Sequence, residues 1–281
     1  LPEVVIRDLI EKFQEAADTE QENFEKRHWL NQVESLARQI KDASLFEKTR
    51  LASWAELNAP ALLDIAQVYL ESGDAETALC RLQDIPAEEI AFKVHETDNL
   101  LFDVYAKTGD TEKLTEVAWR IFRRHRSTNT FSKLLSVVGK EEKDTVIEAE
   151  VRHILADNSL SLSDVAFLIE VGQIDMAESY LLDRSSQLNG DSYNDLLPLA
   201  KAMASDGRWL CTSIVYRALL GSILDRAYSR AYGHGVRYLK RLERLSDSVS
   251  DWYGFEDHEA YLENLRQQHG RKRSFWSRYE D

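Results

Sequence analysis

Apolar residues return at helical spacing from the start of this chain. Val5, Leu9, Ile10, Phe13 and Ala17 fall on one side of a helix over residues 3–17. The next stripe is cleaner: Trp29, Val33, Leu36, Ala37 and Ile40 lie at i, i+4, i+7, i+8 and i+11, which predicts a helix from about Gln21 to Lys41. Residues 44–57 predict a third helix, stopped at Asn58-Ala59-Pro60 because the residue before a proline is pushed out of the α region. Pro60 then suits the first turn of a following helix. From Leu62 the pattern becomes helix, turn, helix. Leu62 to Glu71 and Glu76 to Gln83 flank Gly73 and close at Pro86, and Asn99 to Lys107 and Glu112 to His125 flank Gly109. The second arm around Gly109 carries Leu114, Val117, Ala118, Ile121 and Phe122 as one stripe.

The turn itself recurs. Tyr69, Gly73, Asp74 and Glu76 are matched by Tyr105, Gly109, Asp110 and Glu112, and weaker copies centre on Gly139, Gly172 and Gly207. Successive glycines are 36, 30, 33 and 35 residues apart. A glycine ends a helix in the left-handed conformation at little cost because it has no Cβ. The Asp that follows can cap the next helix, where acidic residues also complement the helix dipole.

An apolar residue, Tyr, three residues, Gly-Asp, Glu and a later Ala resembles the turn of a tetratricopeptide repeat, best matched by Tyr69, Gly73, Asp74 and Ala78. The second copy has Leu114 where the Ala would stand, and the later copies keep the glycine and the apolar spacing. The period is close to the repeat's roughly 34 residues. The resemblance implies an all-α, right-handed α-α superhelix of about seven hairpins, and a scaffold for protein-protein interaction.

The last third differs. Trp209 to Leu245 predicts one long helix or two in tandem, bent near Gly233-His234-Gly235. On one helix Arg226, Arg230, Arg237, Arg241 and Arg244 return close to one face, with Tyr228, Tyr232 and Tyr238 interleaved. Ser246 to Ser250 predicts a loop, 251–255 an aromatic turn and Asp257 to Gln268 a last helix; the chain closes with His269-Gly270-Arg271-Lys272-Arg273-Ser274-Phe275-Trp276. The run 232–242, the Asp-His pair at 257–258, Tyr261, Leu265, His269 and the stretch 271–276 resemble the ending of an uncharacterised bacterial family of helical-repeat proteins. A similar ending follows the helical repeats of some bacterial SWIM zinc-finger proteins. The SWIM zinc ligands are absent, since Cys80 and Cys211 cannot supply a Cys-x-Cys pair. The expected organisation is therefore N-terminal helices over 1–58, repeat hairpins over 59–207 and a basic, aromatic helical cap over 208–281.

Charge sharpens that division. The formal net charge of −14 disfavours a chain that coats nucleic acid or an anionic membrane along its whole surface. It divides into −17 over 1–207, +6 over 208–245 and −3 over 246–281, so the positive charge sits in one late segment. Two distant cysteines predict no disulfide framework and fit a cytoplasmic protein. The most apolar stretch, Trp209 to Leu224, is short and interrupted by Arg217, so no membrane span is expected. The sequence opens on Leu1 rather than Met, which leaves room for a preceding module.

No catalytic constellation stands out. The seven histidines are scattered with no His-Glu-x-x-His, Gly233-His234-Gly235 is not a phosphate loop, and no cofactor or metal is expected. A hydrolase would need His234, His258 and His269 to converge. The candidate binding residues are Arg226, Arg230, Tyr232, His234, Arg237, Tyr238, Arg241, His269, Arg271, Lys272 and Trp276. Arginine forks grip carboxylate or phosphate, and tyrosines stack on bases or peptide groups. The expected partner is another protein or a peptide, with nucleic acid or a phosphate ligand as the alternative. Against both stands a structural role, in which these arginines pair with acidic repeat helices and residues 269–276 cap the last repeat.

Overall fold

Short polar side chains decide where many of the helices begin. Asp74 Oδ1 accepts from the Thr77 amide at 2.9 Å and Asp110 Oδ1 from the Lys113 amide at 3.1 Å, so the Asp after each turn glycine caps the next helix as expected. Asn58 and Asp42 do the same for Ala61 and Leu45, both at 3.1 Å. A computed structural model describes residues 1–54 and 56–280, apart from the side chains of Ala87, Ile90, Ala91 and Phe92. Ala55, inside the expected third helix, lies outside the described residues.

The chain is all-helical, with no strand among the described residues. Its helices are α1 (Glu3–Thr19), α2 (Asn23–Gln39), α3 (Ala43–Ser53), α4 (Ala59–Ser72), α5 (Ala75–Gln83), α6 (Ala87–Thr108), α7 (Thr111–Arg124), α8 (Thr128–Val138), α9 (Lys143–Ala156), α10 (Leu162–Glu170), α11 (Ile174–Asp183), α12 (Tyr193–Ser205), α13 (Trp209–Asp225), α14 (Tyr232–Ser246), α15 (His258–His269) and α16 (Arg273–Glu280). The five turn glycines fall between α4 and α5, α6 and α7, α8 and α9, α10 and α11, and α12 and α13, and all have positive φ. Gly139 is the odd one, with φ 107° and ψ 140° rather than a left-handed helical pair. α6 is longer than the expected arm of Asn99 to Lys107, because helix resumes directly after Pro86 and bends at Lys93.

Two compact units emerge. The first holds residues 1–124 and 133–138, the second 125–132 and 139–281, so α8 is divided between them. In the first, each helix packs on the next from α1 to α7, and α4 also packs on α6. The core follows that order. Ile6 and Ile10 meet Val33; Ala37, Phe46, Ile65 and Val68 form the next cluster; Leu62, Ala66, Ala78, Leu82 and Val104 the one after. Polar groups tie the same neighbours together. Tyr69 donates to Glu47 at 2.6 Å, and Arg81 pairs with the other oxygen of that carboxylate at 2.7 Å. Burial and this bond push the Tyr69 phenol up to about 12.

In the second unit α10 packs on α11 and α12, α11 on α9 and α13, α12 on α13, and α13 on α14, which in turn carries α15 and α16. Phe167, Leu168, Tyr180, Leu181, Leu196, Met203 and Phe275 are fully buried there. Cys211 is buried and its thiol is pushed up by desolvation; Cys80 is exposed, and both are free. No helix among the described residues is long and apolar enough to cross a membrane.

Candidate functional site

Of the two arrangements expected over 209–245, one long helix or two in tandem, the structure has two, and the break lies upstream of the glycine pair. Ala227 takes a left-handed φ of 51°, and the Tyr228 amide donates back to the Ile223 carbonyl at 3.1 Å, closing α13. Gly233, His234 and Gly235 instead lie inside the first turn of α14. Arg226 therefore ends α13 and Arg230 sits in a separate 3-10 turn, so neither shares a helix face with Arg237, Arg241 and Arg244.

Gly235 sets how closely α14 can approach. A Cβ there would lie 3.1 Å from a ring carbon of Phe275 and 3.3 Å from Leu220, tight enough that an added side chain would press on both neighbours where α14 meets α13 and α16. The buried face of α14 is Tyr232, Val236, Leu239, Leu242 and Leu245. Its outer face carries Arg237, Lys240, Arg241 and Arg244, which with Leu245 line an open cavity of about 470 Å³. Ion pairs nearby join Arg226 to Asp191, Arg266 to Glu280 and His269 to Asp225; among the described residues none involves those four cations. Several arginines earlier in the chain behave differently: Arg38, Arg50, Arg81, Arg120, Arg126 and Arg208 each meet two carboxylates.

Beside this face a second cavity of about 460 Å³ opens between α12, α13 and α14. Leu197, Leu219 and Ile223 supply apolar lining and Tyr193, Tyr228 and Tyr238 aromatic lining. Tyr193 and Tyr228 are 55% and 50% exposed. His234 also borders the cavity; Arg237 donates to its Nδ1 at 3.0 Å, which places the ring's own proton on Nε2. Arg226 forms an ion pair with Asp191 and the Ser222 hydroxyl donates to the same carboxylate, so the polar edge of this cavity is neutralised internally.

Residues 5–278 match the profile described as "Family of unknown function (DUF6880)". The chain belongs to that family. No curated protein and no solved structure matches it. The DUF6880 match takes in both compact units and runs through the basic face of α14, well beyond the C-terminal stretch that carries the resemblance noted in the sequence.

Other candidate residues separate into exposed and buried. Arg271 is exposed and Lys272 partly so. Tyr232, His269 and Trp276 are 4%, 8% and 7% exposed. Tyr232 meets Phe275 edge-on at 5.6 Å, and the Trp276 indole donates to the His269 carbonyl at 2.9 Å, so these three hold α14, α15 and α16 together. The three histidines considered for hydrolysis have different neighbours: His234 meets Arg237, His269 meets Asp225, and His258 is half-buried near Arg217. Among the described residues no group of three or more His, Cys, Asp or Glu could hold a metal.

Two features escape sequence reasoning. The Arg217 guanidinium lies over Trp252 at 4.7 Å and Tyr261 at 4.3 Å and donates to the carbonyls of Glu256 and Asp257 at 2.9 and 3.2 Å. Desolvation lowers the pKa of Arg217 and raises that of Tyr261. A lone arginine in the apolar run 209–224 was its one signal. The other is a cavity of about 530 Å³ between α10 and α12, lined by Leu162, Ala166, Ile169, Pro198 and Leu199 and bordered by Arg126. Arg126 is committed to Glu150 and Asp164, which leaves that cavity no free cation from this residue.

Proposed function

We propose that the protein is a non-enzymatic, tetratricopeptide-like interaction scaffold that binds an acidic segment of another protein on the outer face of α14. One observation carries the reading: Arg237, Lys240, Arg241 and Arg244 gather around one cavity with no carboxylate paired to them among the described residues, whereas Arg38, Arg50, Arg81, Arg120, Arg126 and Arg208 each meet two. Four such cations on a rigid helix are a pre-arranged counterpart for carboxylates, which arginine binds with two parallel hydrogen bonds. Five glycine turns in near register and helices packed on their next and next-but-one neighbours support hairpins stacked as a right-handed superhelix. The two free cysteines suit a reducing cytoplasm. The likeness of the ending to that of SWIM zinc-finger proteins fits a bacterial scaffold of the same kind.

The test is calorimetric titration of an octaglutamate peptide and of a dT8 oligonucleotide into the wild type and into Arg237→Glu/Arg241→Glu, at several salt concentrations. Peptide binding that weakens with salt and disappears in the variant supports the proposal. Equal affinity of both proteins for the peptide removes it, and oligonucleotide binding tighter than peptide binding moves the function to nucleic acid.

A further inference from the structure

We infer that the cavity between α12, α13 and α14 receives an aromatic anchor side chain from the partner, so that the segment recognised is one aromatic residue followed by several acids. The inference rests on the acid-binding role proposed above and adds the other half of the recognition.

The aromatic cavity and the cationic face share one helix. His234 and Tyr238 line the cavity, while Arg237 and Arg241, one step round α14, line the basic face. Their side chains touch. Arg237 donates to His234, the Arg241 guanidinium lies 5.6 Å from the Tyr216 ring, and Tyr216 packs 5.5 Å from Tyr238. A ligand in the cavity is therefore next to the cations.

The lining chooses the anchor. Leu197, Leu219 and Ile223 reward removal of apolar surface from water, and the tyrosines offer edges and faces to a ring. Half-exposed Tyr193 and Tyr228 are the residue type enriched where partners bind. With Asp191 already paired to Arg226 and Ser222, the polar edge leaves no unpaired cation, among the described residues, for a second carboxylate, and the apolar and aromatic lining favours a neutral ring.

Length follows from geometry. From His234 to Arg244 a helix rises about 15 Å, which an extended segment spans in roughly four or five residues. The acids belong within that distance of the anchor. An oligonucleotide could stack a base on the tyrosines and set phosphates on the same cations, which is the outcome that the dT8 titration reads.

The experiment is calorimetry with four short peptides, WDDDD, ADDDD, WSSSS and ASSSS in one-letter code, plus dT8. It uses the wild type, Tyr228→Ala and Ala231→Trp; Tyr228 is half exposed, so its loss leaves the fold intact, and Ala231 lines the cavity, so a larger residue fills it. The expected result is that WDDDD binds about 10-fold or more tighter than ADDDD, and that both variants shrink this ratio. Equal binding of the two acidic peptides overturns the anchor and leaves acid binding standing. WSSSS binding as tightly as WDDDD overturns acid binding and, with it, the joint motif. An unchanged ratio in both variants overturns this cavity as the anchor's seat, and dT8 binding tighter than any peptide overturns a peptide partner.

Discussion

Arg126 donates two hydrogen bonds to a single oxygen of Glu150, at 3.1 and 2.9 Å, inside the core of the second unit. A third reaches Asp164 at 2.9 Å, and Glu150 is fully buried. Two buried carboxylates thus share one guanidinium. Arg126→Met is expected to cost about 3–5 kcal/mol, seen as a drop in Tm of roughly 10 °C. Replacing all three with apolar or amide residues of similar volume (Arg126→Met, Glu150→Leu, Asp164→Asn) recovers much of that loss, because the cost lies in the stranded charge. A triple variant as unstable as the single would refute this.

Glycines 221 and 235 lie on adjoining helices and predict opposite signs. Gly221, in the middle of α13, has nothing within 4 Å of an added methyl, whereas at Gly235 a methyl meets Phe275 at 3.1 Å. Gly221→Ala should raise stability by about 0.5–1 kcal/mol, and Gly235→Ala should lower it by about 1–3 kcal/mol. Ala227, left-handed at φ 51°, gives a third comparison: Ala227→Gly should gain about 1 kcal/mol. Urea unfolding of the three variants checks all the signs.

Arg217 fastens the aromatic turn at 251–257 to α13 through two carbonyls and two rings. Lysine has no planar fork to satisfy both carbonyls while stacking between rings. Arg217→Lys should therefore cost about 1–3 kcal/mol and open residues 247–257 to limited proteolysis. Cleavage at the wild-type rate would mean that the turn is held by other contacts.

His258 supplies a pH dependence. Burial, then Arg217, lowers its pKa below 6.5, while Glu243, Asp257 and Asp247 act in the opposite direction. The unfolded chain therefore binds the proton more readily than the folded one. Its contribution is fully present above about 6.5 and is lost as pH falls through that value toward the depressed one. Tm should decline between pH 7.5 and pH 6, and His258→Phe should flatten that decline. Some slope will persist, because burial lowers His269 in the same direction. An unchanged slope in His258→Phe would rule out His258 as a source.

Much of the helical layout was legible because its signals are local. Gly73 and Asp74 announce a turn and a cap within two residues, and the stripe of Val117, Ala118, Ile121 and Phe122 is buried as its spacing suggests. The break between α13 and α14 was not legible, because it uses an alanine in a conformation that normally calls for glycine, and the nearby glycines drew attention downstream. The same displacement made five arginines look like one stripe. Arg237, Arg241 and Arg244 remain together on α14, joined there by Lys240. Tyr232, His269 and Trp276 carried the right chemistry for binding, but whether an aromatic residue faces solvent or a neighbour depends on helices far along the chain. Arg126 and Arg217 were hidden for that reason too, their partners lying 24 to 40 residues away.

The division of α8 limits how this protein can be dissected. A fragment beginning at Gly139 would lack Arg126 and keep Glu150 and Asp164, two buried acids that would both lose their pairing with it. A fragment ending at Arg124 would lack Lys133, which donates to Asn99 and covers the ring of Phe102 at 4.0 Å. No single cut leaves both units whole, so two fragments that each fold would have to share residues 125–138.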